Sequence, residues 1–102
     1  MFGGRLRELR EDKGLFQRQI AAALDVDTAY ISKIENSEKL VSRTYLKKLA
    51  VLLDCPEEEL LTLWLADKIY ELVKGEAVAM KAIDVAQKAI ADQVIDSPNN
   101  GR

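Results

Sequence analysis

The chain has 102 residues, of which 48% are apolar and 31% charged, as in an ordinary globular domain. It has no histidine and one cysteine, which excludes an internal disulfide and the Ser/His/Asp and Cys/His catalytic arrangements. We therefore expect no catalytic residues, no metal and no cofactor. No apolar run approaches the roughly 18 residues of a membrane span, and the first residues lack a secretory signal, so we expect a cytoplasmic protein.

Charge is distributed unevenly along the chain. Residues 1–50 carry ten Lys or Arg and seven Asp or Glu, a net charge of +3, whereas residues 51–102 carry five and ten, a net charge of −5. Only the first half suits a polyanionic partner. Because an excess of three charges is small, the positions of the basic groups matter more than their number.

Apolar residues recur at helical spacing along most of the chain, without the two-residue alternation of strands, which predicts an all-α fold. We predict six helices, at about 5–13, 17–24, 28–35, 42–53, 57–73 and 76–95. Asp25 should close the second helix in a left-handed conformation, and Asp27 should cap the third. The segment Leu53-Asp54-Cys55 repeats the pattern Leu24-Asp25-Val26, which predicts a second ending of the same kind, with Cys55 as packing rather than a reactive thiol.

The fifth helix is apolar around more of its circumference than one buried face requires, so it should be covered on two sides. One side should close the core, and the other should meet a second copy of the chain or the last helix of the same chain. We predict a homodimer held by residues about 57–95. The residues expected at its centre are Trp64, Leu65, Ile69, Ile83 and Ile90.

The chain is expected to have three parts. Residues 1–66 should form the main helical domain, residues 67–95 a helical extension for dimerisation, and residues 96–102 a disordered tail.

The segment 17–35 has the pattern of two helices joined by a tight turn. Ala21 is small where the helices must cross, Val26 fills the turn, and Ile31 with Ile34 faces inward. The residues left facing outward are Thr28, Ala29, Tyr30, Ser32 and Lys33. A helix held in this way can enter a DNA major groove, which is about 12 Å wide.

At these residues the sequence resembles the lambda-repressor and Cro-like (XRE-type) helix-turn-helix regulators, over about residues 5–65. The matching residues are Leu6, Leu9, Arg10, Gly14, Gln17, Ile20, Ala21, Leu24, Val26, Ile31, Ser32, Ile34, Glu35, Asn36, Leu46, Leu49, Ala50, Leu53 and Leu60. The resemblance implies that residues 1–66 form a five-helix, helix-turn-helix DNA-binding domain whose third helix reads double-stranded DNA. Here an additional C-terminal helix follows it. The DNA-binding residues it implies are Gln17, Arg18, Thr28, Ala29, Tyr30, Ser32, Lys33, Asn36, Lys39 and Arg43.

Within that set the resemblance implies different roles. Gln17 and the Asn36 region would contact the DNA backbone, and Arg43 the backbone or the minor groove. Thr28 and Ala29 are small where several relatives carry glutamines, so Lys33, with Tyr30, would carry most direct readout and DNA shape the rest.

Three further departures lie at turns and helix ends. Asp25 and Ser37 stand where the family usually has glycine, and Phe16 stands where a hydroxyl N-cap is common, so we expect the second helix to begin with a hydrophobic contact.

Plainer interpretations remain open for some of these residues. Gln17 can simply start a helix, Lys33 and Lys39 can be solvated charges, and Tyr30 can pack on the rim of the core.

The resemblance implies a transcriptional regulator that binds an inverted-repeat operator as a dimer, as a repressor or controller protein. Members of this size resemble controller proteins of restriction-modification systems, phage-type repressors and DNA-binding antitoxins. The alternative is a protein-interaction module or antitoxin whose C-terminal helices bind a partner protein. Salt-dependent binding to DNA distinguishes the two, because neutralising phosphates makes affinity fall steeply with salt.

Overall fold

A computed structural model describes residues 1–96, with side chains to residue 93. All regular secondary structure of the described residues is helical, with no strand, which confirms an all-α fold of five helices and an additional C-terminal one. The helices are α1 (Phe2–Asp12), α2 (Gln17–Leu24), α3 (Thr28–Glu35), α4 (Leu46–Leu53), α5 (Glu57–Val73) and α6 (Ala79–Asp96), with a 3₁₀ turn at Arg43–Tyr45. Beyond Asp96, the tail predicted for 96–102 lies outside the described residues.

The chain forms two compact units, Met1–Glu71 and a second that begins at Leu72. The first holds the core, to which α1 to α5 all contribute. Its fully buried side chains include Phe2, Leu6, Ile20, Ile31, Ile34, Val41, Leu46, Leu49, Leu53 and Leu60. In the second, α6 has Ile83 half-buried and Val85 and Ile90 exposed. Among the described residues, no helix is both long and apolar enough to span a membrane.

The predicted bounds of α2, α3 and α5 are confirmed, but the predicted start of α1 at residue 5 is wrong. Two glycines follow Phe2, and because glycine has a low helix propensity, the sequence did not predict the first turn of α1. Phe2 has no exposed surface, and its backbone N–H donates to Asp67 Oδ2 of α5 at 2.9 Å. Gly3 is required for close approach, because a Cβ atom there would collide with the carbonyl oxygen of Ile34 at the end of α3.

Two other helices, α4 and α6, begin later than predicted. Instead of an α-helical turn from residue 42, Ser42 is extended, with φ −61° and ψ 136°, and a 3₁₀ turn precedes α4. The Ser42 N–H donates to the Tyr30 hydroxyl at 3.1 Å, so a contact with α3 decides the local conformation. In the second unit, α6 begins at Ala79 rather than at residue 76.

Both predicted aspartate helix endings are confirmed. Asp25 has φ 58° and ψ 48°, and Asp54 has φ 54° and ψ 52°. Ser37, the other residue at a usual glycine position, also has a positive φ, 61°. Cys55 is half-buried against the core, and burial raises the pKa of its thiol, which keeps it protonated and confirms its packing role.

A buried ion pair joins α1 to the end of α3. Arg10 Nε and Nη2 donate to the two carboxylate oxygens of Glu35 at 2.6 and 3.0 Å, and Arg10 Nη1 donates to the Leu15 carbonyl oxygen at 2.8 Å. The Arg10 and Glu35 side chains are 10% and 2% exposed. The hydrogen bonds to Glu35 raise the pKa of Arg10, so the guanidinium stays charged. The pair fixes the last residue of α3 relative to α1.

The left-handed residues give a stability test. Asp25→Gly removes the steric cost of a side chain at positive φ, so we expect the free energy of unfolding to rise by about 0.5 to 1 kcal/mol. Asp25→Ala, the matched control, should lower it, because alanine tolerates this conformation less well than aspartate. Urea unfolding measures both. An equal effect of the two substitutions would contradict the assignment.

The ion pair gives a second test. Glu35→Gln leaves the Arg10 guanidinium buried without its carboxylate, so we expect a loss of about 3 to 5 kcal/mol in the free energy of unfolding. The double variant Arg10→Met with Glu35→Gln removes the buried charge and should lose less than the single variant. Denaturant titrations compare these two variants with Arg10→Met alone, and a double variant whose loss equals the sum of the two single losses would disprove the pairing.

Candidate nucleic-acid interface

The outer face of α3 is exposed because its inner face is held by the core. Ile31 and Ile34 are 0% and 1% exposed, whereas Thr28, Ala29 and Lys33 are exposed and Ser32 is half-buried. The helix starts where the sequence predicts, since Asp27 Oδ1 accepts from the Tyr30 backbone N–H at 2.8 Å. A firmly held helix therefore presents a short polar surface with one cation.

An open depression of about 330 Å³ lies beside this surface. It is lined by Val26, Asp27, Ala29, Tyr30, Lys33 and Lys39. The structure thus brings the loop residue Lys39 next to the α3 residues Ala29 and Lys33, although the two lysines are six positions apart in sequence. Two ammonium groups border one concave surface, which suits an anionic partner.

Tyr30 has the contacts of a packing residue. It is half-buried, its hydroxyl accepts from the Ser42 N–H, and its ring lies edge-on to Tyr45 at a centroid distance of 6.2 Å. The Lys39 ammonium lies 5.5 Å from the Tyr30 ring centroid. The ring thus supports Lys39 and the start of the 3₁₀ turn, and contact between Tyr30 and a base remains a prediction.

Gln17, at the start of α2, belongs to the network of the buried ion pair. Its Nε2 donates to Glu35 Oε1 at 3.0 Å, and Glu35 is in turn held by Arg10. A side-chain amide carries two N–H groups, so Gln17 has a second donor for a phosphate oxygen while Glu35 orients the first. The sequence analysis did not predict that Arg10 and Glu35 pair and hold Gln17. A charged residue among the apolar residues of the inward face of α1, and another on that of α3, could have indicated this pair.

Arg18 and Phe16 form a surface pair. Phe16 is 57% exposed, and the Arg18 guanidinium carbon lies 4.4 Å from its ring centroid. The contact that Phe16 makes is therefore with a cation, rather than the hydrophobic contact expected at the start of α2. The first turn of α2 is closed instead by Gln19, whose Oε1 accepts from the Phe16 N–H at 2.7 Å.

The remaining predicted contacts follow α3. Asn36 and Arg43 are exposed, and the Arg43 guanidinium carbon lies 5.7 Å from the Trp64 ring centroid. The structure therefore places Arg18, Lys33, Asn36, Lys39 and Arg43 on the surface and gives Gln17 and Tyr30 specific intramolecular bonds.

The residues predicted for dimerisation differ in exposure. In the first unit Leu65 and Ile69 are 41% and 50% exposed, while Trp64 is half-buried and its indole N–H donates to the Val41 carbonyl oxygen at 2.7 Å. In the second unit Ile83 is half-buried and Ile90 is 61% exposed. Among the side chains that the structure describes, no cluster is suited to a metal ion.

Comparison with known proteins identifies the first part of the chain. A family model described as "Helix-turn-helix domain" matches residues 1–63. The chain is 42% identical over 50 residues to the control protein C.MunI of a Mycoplasma species, an alignment that covers 48% of this chain and 68% of that protein. No solved structure gives a significant match.

Two relatives are longer proteins. The chain is 42% identical over 40 residues to the HTH-type transcriptional regulator PrpR of Mycobacterium tuberculosis, which covers 39% of this chain but 8% of PrpR. It is 41% identical over 61 residues to an uncharacterized HTH-type transcriptional regulator, RghRB, of Bacillus subtilis, which covers 59% of this chain and 44% of RghRB. The chain thus spans less than half of these two relatives.

The family model covers more than half of the chain, and it matches the segment in which the structure exposes one face of α3. The chain therefore belongs to the lambda-repressor and Cro-like (XRE-type) helix-turn-helix family of DNA-binding transcriptional regulators.

Proposed function

We propose that the protein binds an inverted-repeat operator in double-stranded DNA as a symmetric homodimer in the cytoplasm, as a repressor or control protein. The observation that carries the proposal is the surface of α3, where Thr28, Ala29 and Lys33 are exposed while Ile31 and Ile34 are buried. A helix held along one face can insert the other into the major groove.

Direct readout would rest on few groups. Lys33 can donate to guanine O6 and N7, and the Thr28 methyl group can contact the methyl group of thymine. Ala29 offers no hydrogen bond. Because so little hydrogen bonding is available, sequence-dependent DNA shape would supply part of the specificity.

The other predicted DNA contacts would be to the backbone, where they fix register without reading sequence. The second N–H of Gln17 suits a phosphate, and so do the exposed cations and the polar groups around α3. These residues are Arg18, Ser32, Asn36, Lys39 and Arg43.

Dimerisation is supported by the readout that one helix provides. One recognition helix contacts few base pairs, whereas specific sites are bound roughly 10³ to 10⁷ times more tightly than random DNA. Two copies related by a twofold axis double the contacts, with half-sites about 34 Å apart. The exposed Leu65 and Ile69 provide apolar surface on α5 for such a dimer interface. The relative named a control protein supports a regulatory role for a chain of this size.

Selection of bound duplexes from a random pool tests the proposal as a whole. We expect an inverted repeat whose half-site centres lie one DNA turn apart, and an affinity that falls steeply with salt. A protein-interaction module would give neither result.

Substitutions on α3 and α2 should have different consequences. Lys33→Ala should relax base preference by about 1 to 3 kcal/mol at one position of each half-site, because a base contact is lost. Gln17→Ala should weaken all duplexes alike, because a phosphate contact is lost. Gln17→Ala also removes a bond to Glu35, so its thermal unfolding is measured in parallel. Uniform weakening by Lys33→Ala would contradict the assignment of α3 as the reader.

A charge placed on the exposed face of α5 should prevent dimerisation. Ile69 is 50% exposed, so Ile69→Glu should be tolerated in the monomer. In the proposed dimer interface, the same substitution would bury a carboxylate. Sedimentation should show a monomer where the natural chain is a dimer. Val51→Glu on α4, where the natural side chain is 79% exposed, is the matched control and should leave the dimer intact. An unchanged dimer in Ile69→Glu would remove this face from the interface.

A further inference from the structure

Trp64 of α5 lies beside the segment that connects α3 to α4. Its indole N–H donates to the Val41 carbonyl oxygen at 2.7 Å, and its ring packs against the core. Ser42, the next residue, donates its N–H to the Tyr30 hydroxyl at 3.1 Å. The carbonyl of Val41 and the N–H of Ser42 belong to one peptide group, so this group is held from one side by α5 and from the other by α3.

Two cations from different elements meet the same indole ring. The Lys68 ammonium, one helical turn after Trp64 on α5, lies 4.9 Å from the ring centroid. The Arg43 guanidinium carbon, from the 3₁₀ turn, lies 5.7 Å away. Both side chains are exposed. An aromatic face attracts each cation without neutralising its charge, so the pair keeps its full charge for an external anion.

The carboxylate next to Lys68 in sequence is engaged elsewhere. Asp67 accepts from the backbone N–H of Phe2 at the start of α1. The acidic residues at the opposite end of α5 are Glu57, Glu58 and Glu59, more than two helical turns before Lys68. Within α5, Lys68 therefore lies away from this acidic first turn, and Glu71, the one acidic residue after it in the helix, lies about one turn beyond it.

We propose that Lys68 is a phosphate-contacting residue outside the helix-turn-helix and that Trp64 is its positioning residue. The proposal rests on the proposed DNA-binding function and extends the footprint from α3 to α5. The held Val41–Ser42 peptide fixes the ring relative to α3, so the two cations keep a constant distance from the reading surface. A second cation beside Arg43 doubles the charge that this flank presents to the DNA backbone.

The test is the salt dependence of affinity for the selected operator and for a random duplex, with the full chain. Each lost phosphate contact lowers the slope of log K against log salt by about 0.9, so a fourfold rise in salt should cost Lys68→Gln about 3.5-fold less affinity than the natural chain. The matched control is Lys13→Gln. Lys13 pairs with Asp54 at 3.7 Å, at the far end of α4 from Arg43, and its loss should leave the slope unchanged.

The outcomes separate this inference from the proposed function. If the natural chain binds no duplex with a steep salt dependence, the proposed function fails. If the natural chain does so and Lys68→Gln keeps the full slope, or loses no more of it than Lys13→Gln, the role of Lys68 is disproved and the proposed function stands.

The positioning role of Trp64 has its own readout. Trp64→Leu removes the ring and should lower the slope, whereas Trp64→Phe keeps an aromatic face and should restore it. Both lose the indole N–H bond to Val41, so a purely structural role would give equal slopes. Trp64 is the only tryptophan of the chain, so its fluorescence should change when the natural chain is saturated with DNA and change less in Lys68→Gln. Equal slopes or unchanged fluorescence would overturn the role.

Discussion

Attachment of α3 to α1 and to the core is the constraint on which the reading surface depends. Two isoleucines hold its inner face, Gly3 lets the start of α1 come within contact of the Ile34 carbonyl, and the Arg10–Glu35 pair fixes its last residue. The same carboxylate orients the Gln17 amide. One buried charge pair therefore sets the position of α3 and of a candidate phosphate donor on α2, so the two are placed relative to each other before DNA arrives.

Local chemistry explains which parts of the fold the sequence predicts well. Asp25 and Asp54 each end a helix in a left-handed conformation, and Asp27 caps α3, because short carboxylates bond to nearby backbone groups. The inward spacing of Ile31 and Ile34 follows from helical periodicity alone. Such features involve residues four or fewer apart. The sequence alone therefore predicts the bounds of α2 and α3, and it predicts which residues of α3 face outward, namely Thr28, Ala29 and Lys33.

Contacts between distant residues explain what the sequence could not predict. The first turn of α1 exists because Phe2 is buried and Asp67, 65 residues later, accepts its N–H. The 3₁₀ turn before α4 goes with a bond between Ser42 and the hydroxyl of Tyr30 on α3. Phe16, expected to begin α2 with a hydrophobic contact, instead lies exposed beneath the Arg18 guanidinium. In each case the contact partner lies on another element or is polar. The periodicity of apolar residues therefore does not predict the contact.

The arrangement around Trp64 implies a link between the two proposed interfaces. Its bond to the Val41 carbonyl and the bond of Tyr30 to Ser42 join α5 to α3 through one peptide group. The same helix carries the exposed Leu65 and Ile69. A second copy that packs on Leu65 and Ile69 would hold α5 in place. Because Trp64 and Lys68 lie on the same helix, the dimer would then also hold Arg43 and Lys68 in their positions beside α3. Dimer formation and DNA binding would then stabilise one another, and by linkage each would raise the affinity of the other by the same factor.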